Sequence, residues 1–298
     1  MTLHFTAVTA SRPALHILRN AGGHAGEIHS AYRRTINLRF PGDHLVCLHG
    51  GRSLVAPFGI ALGRDFDSPA FERIAPGVRV VPADGTLRIP EAAVEVAIGR
   101  AAVWEPEARP RPLGSDAAAR HAEILEAVLL QHDNPDGLAG LVDGADATPL
   151  LRRARPCAER LQQALARRDI SGVLAAAEPL MGLGPGLTPS GDDFLAGLMG
   201  TALLAEPPAG PLLRTVGPQL LRLAETRTTL LSRAFLAHAL EGVLAPPLDA
   251  LAATMLDGAD RPALARAARA ACTLGHTSGM DTVTGMVFAL RALAQAAP

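Results

Sequence analysis

Residues 105–116 split this chain into two stretches of different character. Between Glu105 and Asp116 lie Pro106, Pro110, Pro112 and Gly114. So many fixed φ angles, with no apolar period around them, suit neither a helix nor a strand. The segment is expected to be a linker joining a domain over 1–104 to a second domain over 117–298. A chain of 298 residues, 48% hydrophobic and 19% charged, can bury a core on each side of such a break.

Before the break the sequence reads as mainly β. Thr35-Ile36-Asn37-Leu38-Arg39-Phe40 alternates, Pro41-Gly42-Asp43 turns, and Leu45-Val46-Cys47-Leu48 returns, which predicts a hairpin. Val78-Arg79-Val80-Val81, the turn Ala83-Asp84-Gly85 and Leu87-Arg88-Ile89 predict a second pair of strands. A polar run, His29-Ser30 with Arg33 and Asn37, leads into the first hairpin as either a surface or an inter-domain lip.

After the break the sequence is alanine-rich and helical. Asp116 is placed to cap a helix through Ile124, Leu125, Val128 and Leu129, and Thr148-Pro149 opens another to about Arg168. Pro211, Pro218, Pro247 and Asp260-Arg261-Pro262 mark later boundaries, giving roughly eight helices. The expected fold is α+β, a small β-rich N-terminal domain followed by a larger all-helical C-terminal domain.

The helical half contains one run that no connector needs. Leu183-Gly184-Pro185-Gly186-Leu187-Thr188-Pro189-Ser190-Gly191-Asp192-Asp193 is followed by Gly197 and an apolar helical pattern. A glycine turn feeding a helix start offers unpaired backbone N–H groups to an anion or a polar ligand. The pattern returns as Gly275-His276-Thr277-Ser278-Gly279-Met280-Asp281 with Gly285. With Pro189 removed, both read G-x-T-S-G-x-D-x-x-x-G, so two equivalent helix N-termini are expected around one ligand.

A structural role competes with each chemical one. Ser190 with Asp193, and Ser278 with Asp281, fit the S-x-x-D capping box, in which the serine accepts from the N3 amide and the aspartate reaches back. Gly197, Gly200 and Gly285 suit close helix packing. Met280 replaces Asp192 in the second copy, so capping does not require Asp192, and it is the carboxylate favoured for chemistry beside His276 as a general acid or base. The candidate ligand-binding set is Gly184, Gly186, Thr188, Ser190, Gly191, Asp193, Thr277, Ser278, Gly279 and Asp281. Arg227 and Thr228 join it as a third wall, with Ser232 on the same face of a predicted helix. Negative charge at Asp192 and Asp193 opposes an anion at the same helix end. Either the aspartates are caps and the ligand is neutral or polar, or Mg²⁺ held by Asp192 and Asp193 bridges carboxylate and anion.

Composition narrows the chemistry. All 28 basic residues are arginine, which removes Schiff-base lysines and the lysine-dependent phosphate loop. A formal net charge of −1 provides no field for nucleic acid or an anionic membrane. Cys47, Cys157 and Cys272 lack CxxC spacing and read as buried thiols of a reducing compartment. With no leader and no apolar run of spanning length, a cytoplasmic protein is expected. His24, His29, His44 and His49 lack the spacing of a zinc site.

The G-L-G-P-G-L-T-P-S-G-D-D-F-L-A-G and G-H-T-S-G-M-D-T runs resemble the AllH-like family of bacterial proteins. The resemblance extends over most of the chain, from the His29-Ser30 region to the last helix. It implies one subunit of an oxamate carbamoyltransferase of purine and allantoin catabolism, a hetero-oligomer with FdrA-like and AllG-like partners that exchanges a carbamoyl group between oxalurate and phosphate. The residue-level reading agrees in kind, since backbone N–H groups can stabilise a developing oxyanion and arginine forks suit a carboxylate. Two other readings stay open: a noncatalytic assembly or ligand-sensing subunit, and a Mg-dependent hydrolase or kinase-like enzyme.

Overall fold

The computed structural model describes residues 2–64, 74–83, 85–132, 136–144, 147–205 and 210–296. They form two compact units, Met1–Glu105 and Pro106–Pro298. The first is rich in strands and the second is built of helices.

Unit one holds β1 (Leu3–Thr6), β2 (Thr9–Ser11), α1 (Arg12–Asn20), β3 (Gly26–Ala31), β4 (Thr35–Phe40), β5 (His44–His49), β6 (Gly59–Ala61), β7 (Arg79–Ala83), β8 (Thr86–Ile89), β9 (Val94–Ala97) and β10 (Ala102–Trp104). The strand order is β1-β9-β8-β7-β3-β4-β5-β6-β2-β10. Only Ala7 and Val8 separate β1 from β2, and Ala7 donates to Ala97 while Val8 donates to Ala61. The two ends of the order therefore meet, and the sheet curls back around Phe5, Ile28, Leu38, Val46, Ile60, Leu87 and Val96.

Both expected hairpins are present. β4 and β5 pair antiparallel with Phe40 opposite His44, and Gly42 and Asp43 at the turn take φ of 79° and 61°. β7 and β8 pair with Val81 opposite Arg88; Asp84 of that turn lies outside the described residues. The polar run before the first hairpin is not one surface. Arg33 is exposed, but Asn37 is buried and donates to the Ser30 hydroxyl at 3.0 Å.

Unit two opens with the irregular residues 106–114, whose Glu107 and Ala108 amides donate to the Asp249 carboxylate at 2.6 and 3.5 Å. Nine α-helices follow among the described residues: α2 (Ser115–Leu129), α3 (Pro149–Ala166), α4 (Ile170–Ala177), α5 (Ser190–Leu204), α6 (Gly210–Arg227), α7 (Leu230–Ala239), α8 (Pro246–Leu256), α9 (Arg261–Cys272) and α10 (Ser278–Gln295). Thr148 and Asp260 cap α3 and α9 through Leu151 and Ala263, with proline in each first turn. Two expectations change. Gly114, not Asp116, is the N-cap of α2, and Asp116 lies in its first turn. Pro218 lies inside α6 and does not end a helix. The buried Leu213, Val216 and Leu220 hold that helix on either side of it, so tertiary packing outweighs the lost hydrogen bond.

Every residue of α5 is buried, as is nearly all of α10, so these two form the centre of the unit. They pack closely because Gly197 and Gly285 lie at the contact. A Cβ on Gly197 would overlap the Thr282 carbonyl, and one on Gly285 the Phe194 carbonyl. Phe194 and Phe288 meet edge to face with ring centroids 5.2 Å apart.

Candidate functional site

The two motifs repeat in space as well as in sequence. Before α5, Leu183 donates to Leu180 at 3.1 Å and Gly191 donates to Leu183 at 2.8 Å. Before α10, Leu274 donates to Ala271 at 3.1 Å and Gly279 to Leu274 at 2.9 Å. A Cβ on Gly191 would overlap the Leu180 carbonyl, and one on Gly279 the Ala271 carbonyl. Both glycines are therefore needed for the backbone to fold over itself at a helix start. Residues 184–190 fill the gap between Leu183 and Gly191 where only 275–278 fill its counterpart, so the first loop is the longer excursion. Gly184 and Gly186 carry it at φ of 113° and 101°.

The helices run side by side in the same direction with their N-termini adjacent. Gly197 meets Thr282 while Gly285 meets Phe194, and the Thr188 hydroxyl lies 3.1 Å from that of Ser278. The capping boxes do not form. Pro189 and Thr277 are the N-caps, neither helix has a side-chain cap bond, and Ser190 and Ser278 are already helical. The serines and aspartates cross between the repeats instead. Ser278 and Thr188 stand beside the Asp193 carboxyl, and Ser190 and Thr277 beside that of Asp281. The cause is the close contact through Gly197 and Gly285, which brings each first turn nearer to its neighbour than to its own cap.

The crossing buries both carboxyls, Asp193 to 6% and Asp281 to 0% exposure. Burial pushes Asp193 well above the usual carboxylate range, and the nearby Asp281 charge adds to it, against the pull of the Ser278 and Thr188 hydroxyls. Burial pushes Asp281 up to about 6, against the Leu138 amide, the Ser190 and Thr277 hydroxyls and the nearby His276. Asp281 Oδ1 accepts from the Leu138 amide at 2.6 Å, while Oδ2 of each aspartate has no hydrogen-bond partner among the described residues.

Asp192 points elsewhere. Its oxygens accept from the Gly182 amide at 3.0 Å and from the Thr228 hydroxyl, with Ser232 close by. It ties the glycine loop to the α6–α7 junction, and burial raises its pKa. Arg227 closes α6 and is paired with Glu178. Thr228 and Thr229 lie at the break between helices, not within one. Thr229 caps α7 by accepting from Ser232 at 3.0 Å and donates to the Leu187 carbonyl at 2.7 Å. This wall holds the first loop in place. Among the described residues no group of three or more His, Cys, Asp or Glu could hold a metal ion. Each Asp192 oxygen accepts from one protein donor, and no step below runs through a metal ion.

Residues 180–290 match the family described as oxamate carbamoyltransferase subunit AllH, and residues 6–103 match the AllH family N-terminal domain. The chain belongs to the AllH family. Both motifs lie within the matched helical segment, and the family assigns the chain the role of a carbamoyltransferase subunit, which implies other protein subunits. No solved structure matches. No helix among the described residues is long and apolar enough to cross a membrane.

The AllH-family match leaves open which atoms meet a ligand. The amides of Gly184, Gly186, Leu187 and Thr188 donate to no protein acceptor among the described residues. His276 stands on the second loop with Nε2 2.9 Å from Asp136 Oδ2, both side chains exposed. A cleft of about 420 Å³ lies against the first loop, lined by Pro149, Leu150, Arg153, Pro179 and Met181–Gly184. Sequence reading missed Arg153, which occupies the first turns of an arginine-rich helix with no nearby motif. It also missed Leu138 and Gly137, which reach Asp281 from a segment more than a hundred residues away.

Proposed function

We propose that this chain provides the anion-holding face of a carbamoyl-transfer enzyme acting between oxamate and oxalurate, working with FdrA-like and AllG-like subunits. One observation carries the reading: two repeats place their helix starts side by side, next to a loop whose amides at Gly184, Gly186, Leu187 and Thr188 have no protein acceptor. Such amides and two adjacent N-termini favour a phosphate or carboxylate. The Thr188 and Ser278 hydroxyls lie between the loops, Thr277 and His276 form the second rim, and Arg153 lines the adjoining cleft. Gly191 and Gly279 shape the loops, while Asp192, Thr228 and Arg227 brace them. Charge developing on a carbamoyl oxygen would be met by the loop amides, each such donor contributing about 10²–10³ in rate.

Titration calorimetry of the purified chain with phosphate, oxamate and carbamoyl phosphate tests this. Saturable binding of at least one is expected, weakened tenfold or more by a Gly186→Pro change, which removes one loop amide and cannot hold the φ of 101° found there. Added Mg²⁺ should leave the affinity unchanged. No binding by any of the three, alone or with the partner subunits, would sink the proposal in favour of an assembly-only subunit.

A further inference from the structure

We propose that His276, held by Asp136, is the catalytic proton carrier at the rim of the paired helix starts. The assignment rests on the carbamoyl-transfer reading above. His276 Nε2 lies 2.9 Å from Asp136 Oδ2. A carboxylate only accepts, so Nε2 carries the hydrogen and donates it, and the basic lone pair of the neutral ring is on Nδ1. The two side chains are 76% and 66% exposed, so a ligand arriving from solvent can reach the ring.

Both ends of this contact are built into the fold. Gly275, at φ of 66°, turns the second loop back so closely that a Cβ there would meet the Ser278 hydroxyl at 3.4 Å. In the G-x-T pattern of the two motifs, His276 takes the place that Leu187 takes in the first. Both side chains project into solvent from adjacent helix starts, and the 3.1 Å contact of Thr188 with Ser278 sets how near the two loops lie. Asp136 arrives from 140 residues earlier in the chain. It begins a strap, Asp136-Gly137-Leu138, that grips the first turn of α10. The buried Leu138 amide donates to Asp281 Oδ1 at 2.6 Å. A Cβ on Gly137 would overlap that same oxygen and come within 3.1 Å of the Thr277 Cβ, so only glycine lets the strap lie this close. Gly137 and Leu138 are buried and Asp136 is exposed, which leaves its carboxylate to meet His276. Asp136 faces the ring from the strap and Asp281 from α10. Negative charge on either steadies the imidazolium that forms when the ring takes a proton.

When the oxamate amide nitrogen attacks carbamoyl phosphate, a C–N bond forms and the carbon–oxygen bond to phosphate breaks. The nitrogen gives one proton to His276 Nδ1. The imidazolium, held against Asp136, gives that proton to the departing phosphate oxygen, and the ring ends neutral as it began. Phosphate attack on oxalurate runs the same transfers backwards. Asp136 touches neither substrate; it is a positioning residue that fixes the tautomer and orientation of the ring.

Two measurements test the assignment. Nitrogen-15 NMR of the purified chain is expected to show His276 as the Nε2–H tautomer, and Asp136→Asn should populate both tautomers. In the assembled enzyme, assayed with oxamate and carbamoyl phosphate, His276→Ala should lower kcat by about 10²-fold or more with KM little changed. Added imidazole should restore part of that loss, which a merely structural histidine would not allow. The wild-type rate should fall at acid pH as the ring is protonated. Asp136→Asn removes charge that favours the imidazolium, so this acid limb should move to lower pH, with a smaller fall in kcat than His276→Ala gives. A wild-type ring found as the Nδ1–H tautomer overturns the proposal, and that result needs no variant to fold. Transfer by wild type together with a fully active His276→Ala defeats the histidine and leaves the anion site. No transfer by wild type with its partner subunits defeats the carbamoyl-transfer reading itself, and this proposal with it.

Discussion

The Thr188 hydroxyl lies 3.1 Å from the Ser278 hydroxyl, 90 residues further along the chain. It ties the longer loop of the first repeat to the helix start of the second. Removing it tests whether the two loops act as a unit. In a double-mutant cycle, Thr188→Val and Ser278→Ala are expected to show coupling of about 0.5–1.5 kcal/mol in urea unfolding. Additive effects would mean that the loops are held independently.

Gly197 and Gly285 set the distance between α5 and α10, because a methyl at either position would strike a backbone carbonyl of the other helix. Gly197→Ala and Gly285→Ala should each destabilise by about 1–3 kcal/mol. Gly217 is also inside a helix, but a Cβ there would meet only Leu240 side-chain atoms at ordinary contact distance, 3.4 Å or more. Gly217→Ala should stabilise by about 0.5–1 kcal/mol. Denaturation midpoints of the three variants read the opposite signs directly.

Asp249 pins the entry to the helical unit by accepting from the Glu107 and Ala108 amides. Asp249→Ala leaves those amides without their acceptor and should cost about 1–3 kcal/mol. Limited proteolysis followed by mass spectrometry is expected to find new cleavage within residues 106–114. A cleavage pattern like that of wild type would show that the segment is held by other contacts.

Arginine position separates binding from bracing. Arg153 lines the cleft beside the first loop, whereas Arg227 is engaged by Glu178. Arg153→Ala is expected to weaken phosphate or oxamate binding roughly tenfold, the loss of one charge-assisted contact of about 1.5 kcal/mol. Arg227→Ala should change affinity little and, as loss of a largely exposed ion pair, cost less than about 1 kcal/mol. Calorimetry and thermal unfolding on the same two variants distinguish the roles. Equal affinities in both would place the ligand away from the cleft.

Local features were the legible part of this chain. The alternating Thr35–Phe40 run and its glycine turn pair as a hairpin because period and turn chemistry act over a few residues. Short strands such as Thr9–Ser11 and Gly59–Ala61 carry no such period. They form only because neighbouring strands in the sheet supply their hydrogen bonds. The S-x-x-D spacing was legible too, and its meaning changed with the packing.

By itself the sequence determined the β-rich and helical halves, the all-arginine cation set and the existence of a repeated glycine-serine-aspartate motif. Each depends on side-chain identity and short-range backbone preference. Only the tertiary structure decided that Ser190 stands beside Asp281 and Ser278 beside Asp193, that Asp192 accepts from Gly182 and Thr228, and that Asp193 and Asp281 are each buried with one carboxyl oxygen unpartnered among the described residues. Those facts depend on how closely two helices approach, and a glycine's missing Cβ permits that approach without revealing which carbonyl will fill the space.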